Sequence, residues 1–271
     1  MNFALIIGLV LAALVGISLG LIGSGGSILT VPILVYILDV DPVMATAYSL
    51  FIVGVTSLVG GVQNALQKNV DFKTVLIFGI PSILAVYLTR AYLIPFIPDV
   101  IFTVGNFQFT KSISLMVLFA VVMIAASVSM IKPCINCDKY ETVELKYNYP
   151  LILLEGSIVG VLTGLVGAGG GFLIIPALVL LVRMPMKLAV GTSLFIIAAK
   201  SLLGFIGDLQ GTETIDWTLL SGFTALSVVG IFFGIFLSKK ISGTKLKTFF
   251  GWFVLIMGIY ILIKELFYRA V

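Results

Sequence analysis

Apolar runs close to the ~20 residues that span a bilayer recur from one end of the chain to the other, and polar residues gather in short stretches between them. An opening run covers residues 3–22 and gives way, after a cluster of glycines, to a shorter one ending near Leu38. Three longer runs follow, at about Ala45–Leu66, Val75–Ile97 and Ser112–Ile131. The same order then returns: Leu151–Leu165, a glycine cluster, a short run ending near Val182, and runs at about Leu188–Ile206, Trp217–Leu237 and Thr248–Phe267. Backbone amides in hydrocarbon must be bonded within their own segment, so runs of this length are predicted as helices. The fold class expected is all-α and polytopic.

The two halves share spacing as well as hydropathy. Gly16, Gly20, Gly23, Gly25, Gly26 and Pro32 correspond to Gly160, Gly164, Gly167, Gly169, Gly170 and Pro176. Ala45–Ile52 matches Ala189–Ile196, Ser57, Leu58 and Gly60 match Ser201, Leu202 and Gly204, and Asp71 answers Asp216 after a shift of one residue. A chain repeated this way divides into residues 1–131, a linker over 132–150, and residues 151–271. The second copy also marks residues 3–22 as architecture rather than a cleaved leader, and no basic stretch precedes them.

Composition agrees with a bilayer setting. Of 271 residues 60% are hydrophobic and 10% charged, with a mean hydropathy of +1.23, where soluble domains carry about 25% charged residues. The net charge of +4 is spread over loops, where it reports orientation, and nucleic acid is not an expected partner. The absence of histidine removes the commonest metal ligand and general base. Neither an enzymatic activity nor a cofactor or metal is expected.

The positive-inside rule places the Lys239–Lys247 loop in the cytoplasm. Counting back, Asp208–Asp216 is outside and Arg183/Lys187 inside; in the first half Lys68/Lys73 is inside and Asp39/Asp41 outside. Matching loops then fall on opposite sides, which requires an odd number of crossings per half. A glycine-centred hairpin at the start of each half supplies it, and makes the halves inverted repeats. The alternative is a single kinked crossing, which leaves the halves parallel and one basic loop outside. Ile28–Leu38, about 11 residues and roughly 16 Å of helix, spans half of a ~30 Å core, so the glycine turn is expected inside the membrane. Asp99–Lys111 has no counterpart of equal length and is expected as an interfacial loop or short helix.

Helix breaks at matching positions of two halves point to a transporter binding site. Gly23, Ser24, Gly25, Gly26 and Ser27, with Gly167, Ala168, Gly169, Gly170 and Gly171, can offer consecutive N–H groups to an oxyanion. The competing role of such residues is close helix packing, the one expected of Gly16/Gly20 and Gly160/Gly164. Lys200 lies deep in its run, where a charge costs ~2.5–3.5 kcal/mol and is a functional candidate. Arg90 is a candidate too, with snorkelling to the outer interface as its alternative. Ser49, Thr192 and Ser193 can face the turns, or simply bond back to their own helices. Glu155 is expected to pair with a loop lysine or accept a proton. Gln63, Asn64 and Asp208 are expected at the interface. Cys134 and Cys137 have metal or redox spacing, but one such pair is half a zinc site, and free thiols are expected in the cytoplasm.

The doubled glycine runs at Gly23–Pro32 and Gly167–Pro176, the four-segment halves and the size resemble the TauE/SafE family of membrane permeases, often called sulfite exporters. The resemblance covers nearly the whole chain. It implies a multi-pass protein of the inner (plasma) membrane that transports small sulfur-containing anions such as sulfite, thiosulfate or organosulfonates. The partners expected are that anion and the lipid bilayer, with a homo-oligomer left open. A cysteine-dependent sulfur relay and an anion channel are the alternative readings.

Overall fold

In the computed structural model, the residues described are 3–23, 25–104, 107–131, 149–167, 184–208, 215–238 and 243–268, with 170, 171, 174, 175 and 178. The first half contains α1 (Phe3–Ile22), α2 (Gly25–Tyr36), α3 (Pro42–Leu66), and α4 (Phe72–Leu88), which continues through a π turn (Thr89–Leu93) into α5 (Ile94–Phe96). Strands β1 (Val100–Val104) and β2 (Phe107–Thr110) and helix α6 (Lys111–Ile131) complete it. The second half contains α7 (Tyr149–Val166), α8 (Met186–Asp208), α9 (Trp217–Ser238) and α10 (Gly243–Ile263), which ends in a π turn at Lys264–Tyr268. Among the described residues six helical spans are long and apolar enough to cross a membrane: Pro42–Leu66, Phe72–Phe96, Lys111–Val128, Tyr149–Val166, Lys187–Asp208 and Trp217–Ser238. The molecule is thus an all-α, multi-pass membrane protein, as its apolar runs predict.

The spans are apolar on the outside and small or polar within, as expected of helices surrounded by lipid. Along α4, Leu76, Ile80, Leu84 and Leu88 are exposed at four-residue intervals, while Phe78, Ser82 and Val86 are buried on the other face. The starts of three helices are capped by acidic residues: Asp41, Asp71 and Asp216 accept the backbone N–H groups of Val43, Lys73 and Thr218, respectively. Such caps satisfy amides that a helix cannot bond internally.

Matching elements of the two halves exchange partners. Helix α1 packs along α9 and α7 along α4, with α3 against α8 and α6 against α10. Gly16 meets the Ser227 carbonyl, and a Cβ on Gly160 would lie 2.6 Å from the carbonyl of Ser82, the residue that answers Ser227 in the repeat. These glycines do what was expected of them and let two backbones close. The caps follow suit: the amide of Asp216 donates to the Tyr48 hydroxyl at 2.6 Å, and that of Asp71 to Thr192 Oγ1 at 2.9 Å.

Helix α2 folds back on α1. Gly26 abuts Val15 and lies against Leu19, while the Leu38 side chain reaches Gly8 near the other end of α1. The opening unit of the first half is therefore a hairpin about the glycine cluster. Asp99–Lys111 differs from the loop or short helix expected. Its strands pair antiparallel with Phe102 opposite Phe109, whose rings stack at 4.7 Å. Alternating β-branched and aromatic residues around Gly105-Asn106 are a hairpin signal in the sequence itself. The linker cysteines Cys134 and Cys137 lie outside the described residues.

Candidate functional site

Each glycine cluster bends the chain where an L-residue would be strained. Gly23 has φ 74° and Gly167 φ 71°, in the left-handed region that glycine occupies freely. The helix preceding each bend ends in the same way, with the amide of Gly23 donating to the Leu19 carbonyl and that of Gly167 to the Thr163 carbonyl. Beyond the first bend α2 starts at Gly25, so the amides of its first turn have no partner within the helix. Beyond the second bend, the Ile174 amide donates to the Gly170 carbonyl at 3.2 Å, and Gly171, Ile174, Ile175 and Leu178 are helical. Ser24, Ala168 and Gly169, and the side chain of Ser27, lie outside the described residues.

The surroundings of the two bends differ. At the first, a Cβ on Gly23 would lie 2.7 Å from Val190 Cγ1, and Gly26 faces Val15 and Leu19. At the second, Gly167 faces Thr46, and Gly170, with φ 63°, faces Thr163 Oγ1 and the Lys200 ammonium, whose Nζ would lie 2.6 Å from a Cβ placed there. Lys200 is fully buried and donates to Thr163 Oγ1 at 3.1 Å. Thr163 Oγ1 in turn donates to the Val159 carbonyl, leaving its lone pairs toward the lysine. Among the described residues Lys200 meets no carboxylate. In the repeat, Leu19 stands where Thr163 does, Val190 where Thr46 does, and Thr56 where Lys200 does; the polar shell is built once.

Arg90 comes to the same bend from the other flank. It sits in the π turn after α4, 1% exposed, which excludes snorkelling. Its Nη1 donates to Thr46 Oγ1 at 3.0 Å and lies 3.3 Å from Asp208 Oδ2. Asp208, expected merely at the interface, is thus the counter-ion of a buried cation. Among the described residues Nε and Nη2 of Arg90 have no hydrogen-bond partner.

Among the described residues the remaining candidates are placed as follows. Ser49 is fully buried with an unpartnered hydroxyl. Ser193 donates back to the Val190 carbonyl, and Thr192 is occupied by the amide of Asp71. Asn64 donates back to the Gly60 carbonyl, and Gln63 Oε1 is buried without a partner. Glu155 Oε2 is likewise buried and unpartnered, so among the described residues this oxygen makes none of the expected bonds to a lysine. Thr46 and Thr163 were not singled out in the sequence. A polar residue in one copy opposite an apolar one in the other (Thr163 against Leu19, Thr46 against Val190) is the signal that finds them.

A bend of this kind inside a membrane protein, with a buried lysine on it and, among the described residues, no carboxylate to neutralise that lysine, is suited to an anionic guest. A family model described as sulfite exporter TauE/SafE matches residues 8–261. The chain belongs to that family. Its relatives include a probable membrane transporter protein of Methanocaldococcus jannaschii, 30% identical over 97% of this chain and 98% of its own length. Another of the same description, from Xylella fastidiosa, is 28% identical over 92% of this chain and 91% of its own. A third, from Bacillus subtilis, is 32% identical over 77% and 79%, respectively. No solved structure matches the chain. Family and relatives together make this TauE/SafE protein a membrane transporter.

Proposed function

We propose that the protein is a secondary transporter of the inner membrane that exports small sulfur-containing anions, such as sulfite, thiosulfate or an organosulfonate, by alternating access. The anion is held at the glycine bends. Backbone amides at both contribute, and the charged contacts come from the second. The observation that carries this reading is Lys200 Nζ, buried at Gly170 and Thr163 with no carboxylate partner among the described residues. A cation there costs free energy that a countercharge offsets. Export of a monoanion from a negative-inside cell runs electrically downhill by ~2.3 kcal/mol per 100 mV.

The two halves act as inverted repeats that rock against each other. The hairpin of α1 and α2 supports this, because folding back gives the first half an odd number of crossings.

The test is flux of sulfite, thiosulfate, sulfate and methanesulfonate into proteoliposomes holding the purified protein. Saturable uptake with counterflow is expected for at least one of them, and Lys200→Met should abolish it. Movement of none of the four, or normal uptake by Lys200→Met, would overturn the proposal.

A further inference from the structure

Arg90 is bound in a way that a purely structural ion pair does not explain. A guanidinium has five N–H donors in a planar fork, and its strong bridges to carboxylates use two nitrogens at 2.7–2.9 Å. Here both partners share one nitrogen. Nη1 takes Thr46 Oγ1 at 3.0 Å and both Asp208 oxygens at 3.3 and 3.4 Å. The opposite edge, Nε and Nη2, is buried and has no partner among the described residues. Unmade hydrogen bonds on a buried charged group are costly, so an edge left this way is suited to an outside acceptor.

The placement adds to this. Thr46 donates to the Val43 carbonyl and accepts from Arg90, so its hydroxyl is fixed at both ends. Thr46 is also the residue on which Gly167 packs, which ties Arg90 to the bend that Lys200 flanks at Gly170. Gly207 allows the approach, since a Cβ there would lie 3.0 Å from that of Arg90. In the second half the positions that match Arg90 and Thr46 are taken by Ile235 and Val190, so this arrangement too is built once. Among the described residues Asp208 pairs with Arg90 and no carboxylate meets Lys200.

We propose that the Nε–Nη2 edge of Arg90 is a second anion contact on the transport path, selective for groups that present two oxygens, with Thr46 and Asp208 as the residues that position it. This rests on the anion-transport reading above and adds a specificity to it. Two parallel donors match the paired oxygens of a sulfonate, sulfite or carboxylate, whereas a spherical halide gains little from the fork.

The experiment is titration calorimetry on the full-length detergent-solubilised protein, with methanesulfonate and with bromide. Arg90→Lys keeps the charge and removes the fork. It should lose about tenfold in methanesulfonate affinity and under about twofold for bromide. Thr46→Val, which installs the residue found at the matching position of the other half, should lose about threefold for methanesulfonate, with Thr46→Ser restoring it. Unchanged methanesulfonate affinity in Arg90→Lys, or an equal loss for both anions, overturns the inference. If Lys200→Met nevertheless abolishes binding, the transport reading stands without it. Should Arg90→Lys fail to fold, Thr46→Val decides: a loss confined to methanesulfonate supports the inference and no loss overturns it. Failure of the wild-type protein to bind methanesulfonate overturns the inference, while saturable flux of sulfite or thiosulfate leaves the transport reading in place.

Discussion

Lys200 and Arg90 are both buried cations on the same bend, yet they answer to different physics. Lys200 has a hydroxyl partner and, among the described residues, no countercharge, so removing its charge relieves the fold. Lys200→Met is expected to raise the unfolding free energy by about 2 kcal/mol while ending transport, measured as a higher melting temperature in detergent beside absent flux. Arg90 has a countercharge. Asp208→Asn leaves the guanidinium without one and should lower stability by on the order of 2 kcal/mol. That is less than a fully buried pair would lose, because the Asp208 side chain keeps 17% of its exposure. Opposite shifts of melting temperature in the two variants would check both assignments at once.

At the scale of elements, contacts between helices are set by glycine, because lipid removes most of the hydrophobic drive and leaves close packing to hold spans together. Gly160 sits where a Cβ would meet Ser82 and Ala85 at 2.6 Å. Gly160→Val should push α7 off α4 and cost about 3 kcal/mol, read as a fall in melting temperature. Gly79, on α4, is open instead: a Cβ there would have nothing within 4 Å. Gly79→Ala should therefore be neutral or stabilise by up to about 1 kcal/mol through helix propensity. Equal losses in the two variants would show that the α4–α7 seam is not where the structure puts it.

Over the whole molecule, the exchange of partners between halves ties the two bends together. Each bend rests on the start of a long helix from the other half, Gly23 on Val190 and Gly167 on Thr46, so movement of one half is felt at the bend of the other. The proposed inversion of the halves makes a topological prediction. On a background with Cys134 and Cys137 changed to serine, Lys68→Cys and Lys187→Cys should react with an impermeant maleimide only from the cytoplasmic side. Asp41→Cys and Asp216→Cys should react only from outside. Labelling of Lys68→Cys and Lys187→Cys from opposite faces would favour parallel halves.

The amino-acid sequence by itself determined the bilayer setting, the helical class, the doubled architecture and the places where the helices break. All of these follow from hydropathy, length and glycine spacing, which act locally along the chain. It also picked out Lys200 and Arg90, because a charge inside a 20-residue apolar run is conspicuous whatever surrounds it. Only the tertiary structure decided that both cations flank the second bend and that hydrocarbon packs against the described part of the first. It also decided that Asp208 belongs with Arg90 rather than with water. Those pairings join residues 37 to 118 positions apart, and one-dimensional patterning carries no record of which faces will meet. The hairpin at Val100–Thr110 is a different case, since its alternation and its Gly105-Asn106 step are local. The decisive asymmetry between Thr163 and Leu19 was present in the sequence as well, but it acquired meaning only when the fold set one beside a lysine and the other beside a glycine.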